Sequence, residues 1–228
     1  MVTSRSNLLL VSQYKAVPMT KTCAILGASG HGKVVAEIAE LNGYQDIVFF
    51  DDRWPELESV EHWPVKGNSE SLLSTAASFD LAVIAIGNNN VRLEKQKQLI
   101  SVGACFSPLV HPRATVSQYA ELGFGTVVMA NAVINPFVHI GDACIINTSS
   151  TIDHDCKLAD GIHVSPGSNL AGGVSVGECA WLGIGSQVKQ LISIGAGAMV
   201  GAGATVVTNV SNFQTVVGTP AQPLNKSK

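Results

Sequence analysis

Residues 140–170 read IGDACIINTSSTIDHDCKLADGIHVSPGSNL, with an aliphatic side chain at every sixth position: Ile140, Ile146, Ile152, Leu158, Val164 and Leu170. The register extends without insertion in both directions. It runs back through Ile134, Val128, Leu122, Val116 and Val110, and on through Val176, Leu182, Val188, Ile194, Val200 and Val206. Helices and strands repeat at 3.6 and 2 residues, so neither produces a period of six. A short strand followed by a turn does, and a sustained short repeat predicts a parallel β-solenoid. Three hexads then form one triangular coil, and residues 110–206 make between five and six coils. Residues eighteen apart are expected to lie above one another, at the ~4.8 Å spacing of neighbouring strands.

The fourth residue after each aliphatic is mostly small, as at Ala114, Ala120, Thr126, Ala132, Cys144, Ser150, Cys156, Ser168 and Ala180. Alternating large and small inward positions would fill a narrow prism. Gly123, Gly125, Gly141, Gly161, Gly177, Gly183, Gly195 and Gly201 are expected to provide backbone conformations that other residues resist.

At 228 residues the chain can hold two modest domains. A net charge of -3 and a charged fraction of 14% leave no basic stripe, which argues against nucleic acid. No apolar stretch approaches the length of a membrane span. Residues 8–11 are too short an apolar run for a secretory signal. Residues 1–20 therefore read as a loose tail, with Met19 as an alternative start. The five cysteines, Cys23, Cys105, Cys144, Cys156 and Cys179, are odd in number and form no CxxC pair, as expected of a reduced cytoplasmic protein. Cys144 and Cys156 fall in the inward register and read as packing residues.

Residues 21–107 carry a β-α-β pattern, and residues 108–228 carry the repeats and a C-terminal extension. Strands are expected at 22–26, 47–50 and 81–86, with a helix after the loop 27–32 that stops near Gly43, and another at 91–102. This is a small Rossmann-like unit. Its loop Gly27-Ala28-Ser29-Gly30-His31-Gly32 joins a strand to a helix N-terminus and can present backbone N–H groups to an anion. The spacing is neither that of the dinucleotide fingerprint nor that of a P-loop. Asp51 and Asp52 close the second strand, where an acidic residue can accept hydrogen bonds from a ribose or base, and otherwise would be a solvated strand end. Both features meet at the carboxyl edge of the sheet, and a nucleotide diphosphate is the ligand expected there.

Of the six histidines, His62 and His111 sit beside prolines in loops and read as surface residues. His154 sits two residues beyond the inward Ile152, hence at an outward corner. The register stacks Gly172 above it and Pro136 below it, and Gly172 with Gly173 would leave an open groove beside the imidazole. A neighbouring carboxylate can orient the ring and raise its basicity, which marks His154 as a general-base candidate. Asn147 lies one hexad earlier, His163 half a coil onward, and Trp181 stacks on the His163 column.

The strings INTSSTIDHDC (146–156) and IHVS (162–165) resemble those of the hexapeptide-repeat sugar acyltransferases. So do GASGHGK (27–33), FFDD (49–52), AIGNN (85–89) and GTPA (218–221). The resemblance is to the branch of the bacillosamine-pathway UDP-4-amino-sugar N-acetyltransferases and the sialic acid O-acetyltransferases. It implies an α/β Rossmann-like domain followed by an all-β left-handed parallel β-helix, a homotrimer with sites between subunits, and a role in glycan or surface-polysaccharide biosynthesis. It also implies acetyl-CoA as co-substrate, without a metal. His154 would be the base, Asp155 its orienting partner (some relatives carry Glu there), and Asn147 and His163 supporting groups. Gly27, Ser29, Gly30, His31, Asp51, Asp52, Gly87 and Asn88 would hold the nucleotide sugar. His163, Gly172, Gly173, Ile184, Gly201 and Gly203 would line the coenzyme path.

The acceptor expected is a UDP-linked 4-amino-4,6-dideoxy sugar. A sialic acid hydroxyl and dTDP- or GDP-linked amino sugars are the alternatives. A zinc site of carbonic-anhydrase type would need an HxxxxH pair, whereas His139, His154 and His163 lie fifteen and nine residues apart. A non-enzymatic scaffold would bind no acetyl-CoA.

Overall fold

The computed structural model describes residues 20–224. The expectation for the first twenty residues falls, apart from Thr20, outside them. Among the described residues no helix is long and apolar enough to cross a membrane.

The six-residue period becomes a three-sided solenoid of two-residue strands. The first side begins with Leu109–Val110 and Val127–Val128 and has eight strands, two of them from the C-terminal extension. The second side has six strands, among them Thr151–Ile152 and Asn169–Leu170. The third side has five, among them Lys157–Leu158. The eighteen-residue rule holds: Ile134 pairs with Ile152, and Ile152 with Leu170. The backbone N–H of Asp153 donates to the Leu170 carbonyl at 3.0 Å.

From Val128 to Val206 every aliphatic of the register is buried in one continuous core. Val110, Val116 and Leu122 are only partly covered, because no coil lies beneath the first. The small inward positions are buried too, and their polar atoms find partners inside. Ser150 Oγ donates to the Asn147 carbonyl at 2.7 Å, and the hydroxyls of Ser168 and Ser186 pair at 2.7 Å.

The glycines act differently from the sequence expectation. The left-handed turn position recurs every six residues, but Asn131, Phe137, Ala143, Ser149, Asp155 and Cys179 occupy it as well as glycines. Of the eight glycines singled out, Gly125 and Gly161 have positive φ. The others are needed for room between coils: a Cβ on Gly177 would lie 2.4 Å from the Ala196 nitrogen.

Before the solenoid, β1 (Thr22–Leu26), β2 (Asp46–Phe50) and β5 (Leu81–Ile84) form a parallel sheet in the order β2-β1-β5. Helix α1 (Gly30–Leu41) ends at an Asn42 cap followed by Gly43 at φ +85°. A small hairpin of β3 (Ser59–Val60) and β4 (Trp63–Pro64), and helix α2 (Ser69–Thr75), fill the segment that the sequence left unassigned. β5 ends two residues before the expected boundary. Helix α3 (Asn89–Ser101) starts two residues early, because the Asn88 side chain caps it by accepting from the Val91 N–H at 3.1 Å.

One face of this α/β unit packs on the solenoid's first side. Val35, Ile38 and Val83 share a core with the outward-facing Val127, Met129 and Ile145.

Ile152 is wholly buried midway along the prism. Ile152→Ala should therefore cost about 2–5 kcal/mol in denaturant unfolding. A loss below about 0.5 kcal/mol, the range of surface substitutions, would contradict the inward register.

Candidate active site

The turn after Thr151–Ile152 places residues 153–156 at the corner between the second and third sides. Ile152 and Cys156 point inward, leaving Asp153, His154 and Asp155 outside. Asp155 has φ +60°, and its Oδ2 sits 2.7 Å from His154 Nδ1. A carboxylate can only accept, so Nδ1 carries the proton and Nε2 keeps its lone pair. The hydrogen bond to Asp155 and the charge of Asp153 push the His154 pKa upward. Asp153 is held in turn by Asn135 Nδ2 at 2.7 Å, one coil below.

Gly172 lies directly over the ring. A Cβ there would stand 2.6 Å from His154 Cε1 and 2.7 Å from Nε2. Gly173, at φ +69°, is covered by Leu191. Cys156 is buried and its thiol pKa is raised by that burial, so it is no nucleophile.

Asn147 and His163 belong to the first side and its corner with the second, one full side of the prism away from His154. Asn147 Oδ1 accepts from the Thr148 N–H at 2.8 Å, which turns Nδ2 toward His163 Nε2 at 3.1 Å. Nε2 must then accept, so the His163 proton resides on Nδ1, a buried donor with no partner among the described residues. Burial, with the charge of Arg92 and the neighbouring His31, pushes the His163 pKa down to about 3. Trp181 stacks on the ring at 5.1 Å and is anchored by donating from Nε1 to Ser165 Oγ at 2.8 Å.

Beside this pair runs an apolar groove of about 530 Å³, lined by His163, Trp181, Ile184, Met199 and Gly201. Gly203 follows Gly201 in the same turn but lies outside the lining, with its N–H on the Ile184 carbonyl. The groove therefore takes in His163, Ile184 and Gly201 of the expected coenzyme path, while Gly172 and Gly173 sit at the His154 corner. An apolar channel beside the Asn147–His163 pair suits a thioester and its pantetheine chain.

The carboxyl edge of the sheet gathers the remaining candidates. Gly27, at φ +114°, has no room for a Cβ, which would stand 2.7 Å from the Ala85 carbonyl. Ser29 and Gly30 are exposed at the N-terminus of α1, and around Gly30 there is open space. His31 is half-buried; its Nε2 is wholly buried without a partner among the described residues, and burial with Arg92 lowers its pKa to about 4. Asp51 accepts from the Ala28 N–H at 2.8 Å and from Arg53 Nε at 2.7 Å, which holds its pKa down to about 2. Asp52 accepts from the Ser69 N–H at 2.8 Å, and Asn88 is occupied in capping α3.

Sequence reasoning passed over two arginines. Arg53 reaches the Ala28 carbonyl at 2.6 Å and sets an exposed guanidinium beside the glycine loop, a suitable anion contact. Its signal was adjacency to Asp51-Asp52. Arg92 is fully buried between α3 and the solenoid, and nothing in its helical context separates it from a solvated residue.

A family model described as the PglD N-terminal domain matches residues 22–99. The acetyltransferase domain of PglB from Neisseria gonorrhoeae, solved with acetyl coenzyme A, is 40% identical with a TM-score of 0.86. That match covers 90% of this chain and all of that one. PerB from Caulobacter crescentus, solved with CoA and GDP-perosamine, is 36% identical over 90% of this chain and 97% of that one, with a TM-score of 0.85. The UDP-N-acetylbacillosamine N-acetyltransferase of Bacillus subtilis is 39% identical over 116 residues, 48% of this chain. The chain thus spans about half the length of that curated relative, 52%. The architecture shared with the solved structures is the left-handed β-helix.

The contact between Gly172 and the imidazole yields a test that needs no substrate. In Gly172→Ala the new methyl should displace His154 and break its bond to Asp155, lowering the His154 pKa measured by NMR. The displaced group is an exposed side chain, so the melting temperature should change little. An unshifted His154 titration would contradict the stacking.

Proposed function

The chain belongs to the hexapeptide-repeat sugar acyltransferases, and from that premise we propose that it transfers the acetyl group of acetyl-CoA to an amino sugar. The acceptor in this reading is the 4-amino group of a UDP-linked 4-amino-4,6-dideoxy sugar. The observation that carries it is the His154–Asp155 pair, with Nδ1 fixed by a carboxylate and Nε2 free beside Gly172. His154 Nε2 takes a proton from the amine as its nitrogen attacks the thioester carbonyl. The C–N bond forms, the C–S bond breaks, and CoA leaves as the thiol after protonation. A backbone N–H or the Asn147 amide steadies the developing oxyanion. No covalent enzyme intermediate is required.

The nucleotide belongs at the sheet edge, with Gly30, Arg53 and the N-terminus of α1 facing its phosphates. UDP is favoured by the likeness to the Bacillus enzyme. GDP is the second reading, supported by the likeness to a protein solved with GDP-perosamine.

A single chain holds the two halves of this chemistry apart, because the His154 corner and the Asn147–His163 corner bound opposite edges of the second side. The assembly proposed is a homotrimer with that side turned to the axis, so that each His154 meets the coenzyme groove of the next copy. A cyclic, head-to-tail interface closes in this way.

His154→Ala should lower kcat at least about 100-fold, while Cys156→Ala leaves it unchanged. In the wild type kcat/KM should rise with pH through an apparent pKa above the ordinary histidine value of 6.5. Asp155→Asn should move that limb to lower pH, since the carboxylate favours the protonated ring. An unchanged His154→Ala rate would overturn the assignment. Thermal shifts with UDP, dTDP, GDP and free sialic acid will rank the acceptors; a shift with sialic acid alone would overturn the nucleotide-sugar reading.

A further inference from the structure

Arg92 is the largest of the fully buried side chains, and all five of its N–H groups find acceptors. Nε donates to the Ala143 carbonyl at 2.7 Å. Nη1 donates to the carbonyls of Ile86 at 2.9 Å and Gly87 at 3.2 Å. Nη2 donates to Asn89 Oδ1 and to the Gly161 carbonyl, each at 2.8 Å, with the Ile162 carbonyl at 3.4 Å. Among the described residues no carboxylate lies within ion-pair distance. Burial alone pulls even this guanidinium down to about 10.

A buried charge without a counter-ion is a poor device for stability, since an apolar side chain of similar volume is often as stabilising or more so. A guanidinium offers a planar, rigid fork instead, which fixes several acceptors in one geometry. The acceptors here belong to both ends of the site. Ile86 and Gly87 form the sheet-edge loop that leads to Asn88, and Ile162 precedes His163 directly. Ala143 belongs to the coil that carries Asn147.

We propose that Arg92 is a positioning residue, which sets the distance between the nucleotide-binding edge of the sheet and the reacting carbonyl beside His163. This rests on the acetyltransferase reading above. Binding energy from a remote part of a substrate speeds the chemistry only if that part is anchored at the correct distance from the reacting atoms. Errors of about 1 Å in such anchoring cost roughly 100-fold. Arg92 would make the nucleotide useful to catalysis while touching neither substrate.

The test compares two acceptors in the full chain: the nucleotide-linked 4-amino sugar that the wild type acetylates, and the methyl glycoside of the same amino sugar. For Arg92→Lys the ratio of their kcat/KM values should fall about 10- to 100-fold, with turnover of the methyl glycoside within threefold of wild type. Gln96→Ala is the control for stability alone. Gln96 lies on the same face of α3 but bonds the Phe124 carbonyl, two coils from His163. It should lower the melting temperature and leave the ratio unchanged.

Should Arg92→Lys fail to fold, Asn89→Ser gives the same readout, because it removes a partner of Nη2 and frees the Cys179 and Ala180 carbonyls. An unchanged ratio in a folded variant overturns the positioning role. A wild type that acetylates no nucleotide-linked amino sugar overturns the acetyltransferase reading instead, and this proposal with it.

Discussion

The prism interior admits one arrangement of the repeat. An aliphatic and a smaller residue alternate inward along each coil, and parallel strand pairing locks each coil onto the next. Once that lock is set, the height and direction of every outward side chain follow. Asp155 faces out because Cys156 faces in, and His154 has a flat neighbour because position 172 is glycine. A one-residue slip in either direction would carry a carboxylate, Asp153 or Asp155, into the core and turn the Cys156 thiol out, so the hydrophobic register fixes which of these side chains face solvent.

The two structural units are joined by opposite means. On one face the α/β unit buries aliphatic and methionine side chains against the solenoid's first side. At the neighbouring corner α3 presents Asn89, Arg92 and Gln96 to carbonyls from four successive coils, at Phe124, Ala143, Gly161 and Cys179. Left-handed turns repeat at that corner, and α3 side chains supply donors to the Ala143, Gly161 and Cys179 carbonyls, while the Phe124 carbonyl also accepts from the Ala143 N–H at 2.9 Å. Gly125 has no room for a side chain because Gln96 occupies that space. The apolar face resists separation, and the polar corner sets register. Together they hold the sheet edge at a defined height along the solenoid.

Much of this was legible in the sequence. The period gave the coil count, the inward cysteines and the stacking of Gly172 on His154 and of Trp181 on His163, because stacking follows directly from an unbroken register. Less legible was anything set across the junction of the two units. The β3–β4 hairpin has strands too short to show alternation. The buried face of α3 is polar, so a search for apolar periodicity does not find it. His31 reads as a loop residue at the sheet edge, yet its Nε2 is buried toward the solenoid because the first side packs against that loop's helix. Nor does the register reveal that His154 and the Asn147–His163 pair, close in sequence, end on different corners; that follows only when hexads are assigned to sides.

That separation underlies the proposed trimer, in which each site draws on two copies. It is tested by co-assembling His154→Ala and Asn147→Ala, each expected to be inactive alone, from a mixed and refolded or co-expressed population. Neither variant alone has a complete site. In a cyclic trimer about one interface in four would pair an intact His154 corner with an intact Asn147 corner, so an equal mixture should regain about a quarter of wild-type activity. Mixed assemblies that form and stay inactive would contradict a site built from two copies.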